Sequence, residues 1–333
     1  PSFGYQDGVF AAAEGNPKVY FLHTAGFKSR SNMGNIFGKI YQARYLSGMI
    51  AASKGDKLGY VAAFHNNAQV VRGINSFFLG ARRVNPKVQL FVHFTNTWYK
   101  PDLEGFAAEV LLDDHGVAVI AQHQDTSEPQ WAANVRGKFS IGYNTDMGSL
   151  VSSSVLTSPI FKWGKMYEFY VAGAIHNTFK GEIHWWGIEN DAVDLAPLSA
   201  DVSAESAAEV QSVKDELRAG NDRIFCGEAV ASLNPQGEDG CMTPEQLLSN
   251  MALLPAIVNL GPIAIPVSEV TTQRSVIIFL AVLVGVGVVT NAVLAVLVFA
   301  LRNQKQIRSS SPAFMHGMLA GGVLMYAAVI MWL

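Results

Sequence analysis

Short apolar runs recur along the first part of the chain, separated by stretches in which apolar residues return every three or four positions. Val19–His23, Lys57–Phe64, Val88–Phe94, Val117–Gln122 and Phe139–Tyr143 have the length and content of buried strands. Asn35–Ala52, with Ile36, Ile40, Ala43, Leu46 and Met49 on one side, reads as a helix, and so do Ala68–Arg83 and Asp102–Leu112. Strands alternating with helices of crossover length predict a parallel, doubly wound sheet. Helical spacing returns from Lys162 to Ala174. Ile183–Ile188 and Val193–Leu195 then read as a hairpin around Glu189-Asn190-Asp191, and a last amphipathic helix over Ala204–Arg218 stops at Gly220. Residues 227–273, rich in Pro, Gly and Ser, are expected to form a stalk.

The pattern changes abruptly at Arg274. Residues 275–301 are 27 positions without a charge, and a helix rising about 1.5 Å per residue exceeds the ~30 Å hydrocarbon core over that length. After the connector 302–311, a second apolar run, 312–333, is interrupted by His316 alone. Both runs predict transmembrane helices. The connector holds Arg302, Lys305 and Arg308 and no acid, so it is placed in the cytoplasm, with residues 1–273 outside a plasma membrane. Asn291, inside the first span, is expected to hydrogen-bond to a neighbouring helix. The chain opens on Pro1-Ser2-Phe3 and stops in an apolar run at Leu333, and is expected to continue in both directions.

Composition agrees with a partition between water and lipid. Half of the 333 residues are hydrophobic, 15% are charged, and mean hydropathy is +0.20. Residues 1–273 hold all 27 acidic residues and 20 of the 24 basic ones. An acidic outer domain has no field to hold nucleic acid. The two cysteines, Cys226 and Cys241, exclude a disulfide-dense scaffold and a four-cysteine zinc module. Outside the cell a bridge between them is plausible; the alternative is two free, buried thiols.

In an open α/β sheet the ligand sits beyond the carboxyl ends of the strands. The loops there are aromatic and polar: Phe64-His65-Asn66-Asn67, Thr95-Asn96-Thr97-Trp98-Tyr99, Gln122-His123-Gln124-Asp125-Thr126 and Tyr143-Asn144-Thr145-Asp146. Aromatic planes with a few amides and carboxylates suit a flat, hydrogen-bonding, neutral or cationic molecule better than an anion. Phe64, Asn96, Trp98, His123, Asp125, Tyr143 and Asp146 are the candidates. No nucleophile elbow, phosphate loop or His-Glu-x-x-His helix is present, so an enzyme is disfavoured and no catalytic residue is assigned. His123 and Asp125 lack a further ligand at metal-binding spacing, and neither metal nor cofactor is expected. Trp185-Trp186 either stacks on a ligand or packs on the core.

Several ordered motifs carry a resemblance. Tyr41-Gln42-Ala43-Arg44-Tyr45-Leu46-Ser47-Gly48-Met49, Gly59-Tyr60-Val61-Ala62-Ala63, Gly80-Ala81-Arg82-Arg83-Val84-Asn85-Pro86, Thr95–Pro101, Gln122–Thr126 and Ile141–Met147 resemble the basic membrane protein family of bacterial substrate-binding lipoproteins, over about residues 1–230. The resemblance implies a type I periplasmic-binding-protein-like domain of two α/β lobes, over residues 1–226, followed by transmembrane α-helices. A purine, nucleoside or similar molecule would lie in its cleft. It also implies Trp98 as a stacking aromatic, polar contacts from the loops of Asp125 and Asp146, and Phe3 and Tyr5 on another cleft-facing loop. The family's first strand would precede Pro1.

Gln306-Ile307-Arg308-Ser309-Ser310-Ser311-Pro312-Ala313-Phe314, followed by Gly321-Gly322-Val323-Leu324 and Tyr326, resembles the first intracellular loop and second helix of class C G-protein-coupled receptors. The combination implies a cell-surface receptor that closes its lobes on a small molecule. Its partners would be a heterotrimeric G protein, the lipid bilayer and a second subunit, the same or different. The alternative is a membrane-anchored nucleoside-binding component of a transport system.

Overall fold

The structure is a computed structural model that describes residues 3–265, 274–301 and 303, with the side chains of Phe3 and of several residues between 274 and 288 outside that set. Residues 1–265 form one compact unit and 266–333 a second.

The first unit holds two sheets. In chain order its elements are α1 (Gln6–Gly15), β1 (Phe21–Thr24), β2 (Met33–Gly38), α2 (Ile40–Ala52), β3 (Lys57–Ala62), α3 (Ala68–Val84), β4 (Gln89–Phe94), α4 (Pro101–Asp113), β5 (Val119–Gln122), α5 (Glu128–Val135), β6 (Phe139–Ile141), β7 (Val155–Thr157), β8 (Pro159–Phe161), α6 (Trp163–Ile175), β9 (Ile183–Trp186), β10 (Val193–Leu195), α7 (Ala204–Arg218), α8 (Pro244–Ser249) and β11 (Val258–Pro262). The larger sheet has the order β11-β4-β3-β5-β6-β7 and the smaller β1-β2-β9, every pairing in both being parallel. An antiparallel ribbon of β8 and β10 completes the unit.

Alternation along the strands sorts the core of the larger lobe. Leu58, Tyr60, Leu90, Val92, Val119 and Ala121 pack on one side with α2 and α3, whereas Val61 and Ile120 pack on the other with Ala107, Ala108 and Leu111 of α4 and Ala132 and Ala133 of α5. Helices α2 and α3 approach so closely that a Cβ at Gly48 would overlap the Phe77 carbonyl and one at Gly80 that of Tyr45. Asn67 starts α3 by accepting from the amides of Gln69 and Val70. Ser203 likewise caps α7.

Three expectations are corrected. Asn35–Gly38 belongs to β2, and the helix begins only at Ile40; the run is held between β1 and β9, and a side chain at Gly38 would strike Val193 and Phe161. The hairpin is absent, because β9 pairs with β2 in the smaller sheet while β10 pairs with β8. Between them a 3-10 turn, Ile188–Asn190, and a left-handed Asp191 redirect the chain. Of the expected stalk, 227–273, residues 227–265 belong to the first unit, and 266–273 lie outside the described residues. Cys226 is bonded to Cys241, Arg72 donates to the Leu247 carbonyl, Asn75 to that of Ala252, and β11 adds an edge strand beside β4.

The second unit contains α9 (Arg274–Ala300), a helix of 27 residues. Among the described residues no helix is long and apolar enough to cross a membrane, the side chains of much of α9 lying outside that set. The Asn291 amide donates to the Gly287 carbonyl of its own helix at 3.0 Å; the helix expected to neighbour it lies outside the described residues. The expected second span, 312–333, and all of the connector 302–311 except Asn303 lie outside the described residues.

The contact of α2 with α3 yields a prediction. Alanine in place of a helical glycine gains up to about 1 kcal/mol, but at Gly80 the added carbon must push Tyr45 and its helix away, and overpacking costs about 1–3 kcal/mol. Gly80→Ala is expected to lower the urea midpoint of unfolding without changing the m-value.

Candidate functional site

Parallel β4, β3, β5 and β6 deliver their following loops to one edge, where the candidate side chains gather. Phe64, after β3, and Trp98, after β4, are both half-buried, and their rings meet edge to face with centroids 5.5 Å apart. Asn96 is exposed, has a left-handed backbone (φ 56°) and donates its amide to the Ala63 carbonyl at 2.8 Å. Left-handed geometry costs asparagine less than most residues. Asp125, after β5, is exposed, and its amide donates to the Trp98 carbonyl at 2.9 Å. Partial burial raises its carboxyl above the usual aspartate range. Two aromatic faces, an amide and a carboxylate thus share one edge of the sheet.

Other candidates have structural tasks. His123 is fully buried. Its Nδ1 is 2.8 Å from the Tyr60 hydroxyl. Burial first, then the charges of Arg44 and Arg72, depress the imidazole well below its ordinary value. Tyr143 is also buried, packed with Met147, Val151 and Val155. Asp146 is exposed and accepts from the Gly148 amide at 3.0 Å, which caps a short 3-10 turn. Phe3 and Tyr5 belong to a 3-10 turn before α1 in the smaller lobe; Tyr5 is 67% exposed, and the Phe3 side chain lies outside the described residues. Trp185 packs against Tyr41, under the Arg72 guanidinium, and Trp186 packs with His184 and Phe169.

A polar layer that residue type alone did not reveal supports this edge. Arg44 of α2 is 2% exposed. Its Nη1 donates to the Tyr60 hydroxyl at 2.8 Å and the Gln122 carbonyl at 3.2 Å, and its Nη2 to Asn144 Oδ1 at 3.4 Å. The guanidinium lies 5.2 Å from the Tyr143 ring centroid, within range of a cation–π contact. Gln124 donates to the Thr95 hydroxyl at 2.7 Å, and Glu104, also buried, accepts from the Lys100 amide and the Thr126 hydroxyl. Helical spacing holds the missed signal: Arg44 is four residues from Ile40, and Glu104 precedes Ala107, Ala108 and Leu111 on one face.

Aromatic faces beside an amide and a carboxylate have the chemistry to hold a planar or ring-shaped molecule and to hydrogen-bond its rim. Among the described residues no group of His, Cys, Asp and Glu could hold a metal ion.

Comparison with known proteins places this site in a family context. Residues 1–226 match the sequence profile of Bmp, the PnrA-like ABC transporter substrate-binding proteins. The chain is 37% identical over 235 residues to a putative ABC transporter glucose-binding protein, TsgA13, of Haloferax volcanii, covering 68% of this chain and 60% of that one. It is 34% identical over 236 residues to the purine-binding protein BAB2_0673 of Brucella abortus, covering 70% and 63%. Metabotropic glutamate receptor-like protein C of Dictyostelium discoideum is 24% identical over 341 residues, covering 95% of this chain and 42% of its own length. The chain therefore spans less than two thirds of these relatives. The fold is shared with a transcriptional activator of the comK gene from Bacillus halodurans (TM-score 0.60, 22% identity, 66% of this chain and 77% of that one). It is shared also with an ABC transporter solute-binding protein from Conexibacter woesei (TM-score 0.54, 20% identity, 64% and 74%). The first unit is a two-lobed, periplasmic-binding-protein-like α/β domain.

The buried imidazole has a consequence for stability. In the unfolded chain His123 takes up a proton near pH 6.5, whereas in the fold it stays neutral, so the unfolded state binds more protons below that pH. Its contribution to stability is therefore lost as pH falls below 6.5, at up to about 1.4 kcal/mol per pH unit. Urea unfolding between pH 5 and 7.5 is expected to show a steeper acid loss for the native chain than for His123→Gln.

Proposed function

We propose that this chain, which belongs to the Bmp family of PnrA-like ABC transporter substrate-binding proteins, is the ligand-binding part of a membrane receptor for a purine base or nucleoside. The observation that carries the ligand class is the Phe64–Trp98 pair beside the exposed Asp125. Two edge-to-face rings offer a stacking face for a heterocycle, and a carboxylate accepts from amino or ribose hydroxyl groups. The purine-binding name of the Brucella relative supports the same class. Ligand held by both lobes favours the closed arrangement by its differential affinity, which is the free energy available for signalling.

The receptor reading rests on the reach of the similarity. The two bacterial and archaeal relatives match about two thirds of the chain, whereas the receptor-like Dictyostelium protein matches 95% of it and so continues past the binding domain. The uncharged run 275–301 and the cationic connector support a span with residues 1–273 outside the plasma membrane and 302–311 inside. Coupling to a heterotrimeric G protein and pairing with a second subunit belong to this reading. A second reading, delivery of ligand to a transporter, is favoured by the names of the two more similar relatives. In cells expressing the full-length protein, a second-messenger response to ligand without uptake supports the receptor, and uptake without a response supports the transporter component.

Calorimetry with adenine, guanine, adenosine, guanosine and glucose tests the ligand class. Trp98→Ala is expected to weaken purine binding by roughly ten- to a hundredfold, since stacking one base on an aromatic side chain is worth about 1–3 kcal/mol. Binding of glucose in place of purines would overturn the purine assignment.

A further inference from the structure

Glu104 is a carboxylate with 0% exposure in the first turn of α4. Burial is the main cause that raises its carboxyl, and the charge of Asp125 adds to it; hydrogen bonds, not a cation, pull the other way. A buried charge without a counter-ion costs free energy, so the bonds it makes define its use. Oε1 accepts from the Lys100 amide at 2.6 Å, and Oε2 from the Thr126 hydroxyl at 2.5 Å. Lys100 ends the loop that carries Trp98. Thr126 follows Asp125 on the neighbouring loop. A capping residue needs the first bond alone; the second crosses to another strand-end loop.

Further bonds reinforce this junction. The Asp125 amide donates to the Trp98 carbonyl at 2.9 Å, Gln124 Nε2 to Thr95 Oγ1 at 2.7 Å, and Gln122 Nε2 to the Thr126 carbonyl at 2.8 Å. Glu104 holds both loops through hydrogen bonds to its two carboxyl oxygens.

We propose that Glu104 is a positioning residue of the ligand site, whose two carboxylate oxygens fix the separation between the Trp98 aromatic face and the Asp125 carboxylate before ligand arrives. Preorganisation of this kind raises affinity by removing the cost of ordering loops on binding. The proposal rests on the strand-end loops being the ligand site.

The test uses the whole chain in detergent micelles, with Glu104→Ala, Thr126→Val and Thr126→Ser. Two readouts are compared, after urea unfolding has identified the variants that remain folded. The first needs no ligand: acrylamide quenching of the emission component that disappears in Trp98→Phe. The second is calorimetric affinity for adenosine and guanosine. Thr126→Val removes the bond to Glu104, and with it the one accepted from the Glu128 amide, while leaving the Lys100 cap, and is expected to expose Trp98 to quencher and weaken binding roughly tenfold, the equivalent of one hydrogen bond. Thr126→Ser keeps the hydroxyl and is expected to retain both native values. Folded Thr126→Val with unchanged quenching overturns the positioning role, and so does Thr126→Ser behaving like Thr126→Val. Quenching that rises in Thr126→Val while no nucleoside binds the native chain upholds the clamp and overturns the purine reading alone. If Glu104→Ala does not fold, the Thr126 pair decides the matter.

Discussion

Parallel strands can be hydrogen-bonded side by side only if every connection carries the chain back to the same starting edge. In the larger lobe β3, β4, β5 and β6 all obey this constraint, so the residues that follow Ala62, Phe94, Gln122 and Ile141 emerge together. Loops that are up to some 80 residues apart in sequence become neighbours without any special recognition between them. The helices between the strands make this possible, and α2 and α3 sit so close that glycine is needed at Gly48 and Gly80. Convergence of Phe64, Trp98 and Asp125 is therefore a product of sheet topology before it is a product of the loops' own chemistry.

Topology brings the loops together but does not set their spacing to the precision that binding requires. That spacing is held by polar side chains buried at real cost. Arg44 reaches from α2 to the Gln122 carbonyl and to Asn144, which fixes the ends of β5 and β6 to one another. It also shares the Tyr60 hydroxyl with His123, and its charge helps to keep that imidazole neutral. Glu104 does for the β4 and β5 loops what Arg44 does for β5 and β6. A core built only for stability would replace such groups with hydrocarbon. Here a buried guanidinium and a buried carboxyl group flank the β5 loop from opposite faces of the sheet.

Much of this was legible in advance, and the failures have physical causes. The extents of α3 and α7 follow from apolar spacing, and the main strands of the larger sheet from short apolar runs. The start of α2 was misplaced because Ile36 lies in helical phase with Ile40, while the strand-forming role of Asn35–Gly38 depends on neighbours β1 and β9 that are distant in sequence. The false hairpin has the same origin, since alternation indicates a strand but not its partner. Residues 227–265 looked like a stalk because their Pro and Gly suppress local periodicity; their order comes from bonds to α3 and β4. Arg44 and Glu104 were passed over because a charge is first assigned to a solvated face, although each stands in phase with apolar residues.

The path by which the chain leaves the first unit follows from the same contacts. Asp222 accepts from the Tyr41 hydroxyl and from Gln42 at the start of α2, and the following residues are tied to Arg72 and Asn75 of α3 before β11 pairs with β4. The Ile263 amide then donates to the carbonyl of Phe94, the last residue before the Trp98 loop. The segment that runs on toward Ile265 is thus hydrogen-bonded to the larger lobe and to the strand that leads into the Trp98 loop. The smaller lobe has no strand in this sheet, so the outgoing chain as far as Ile265 is bonded to the larger lobe.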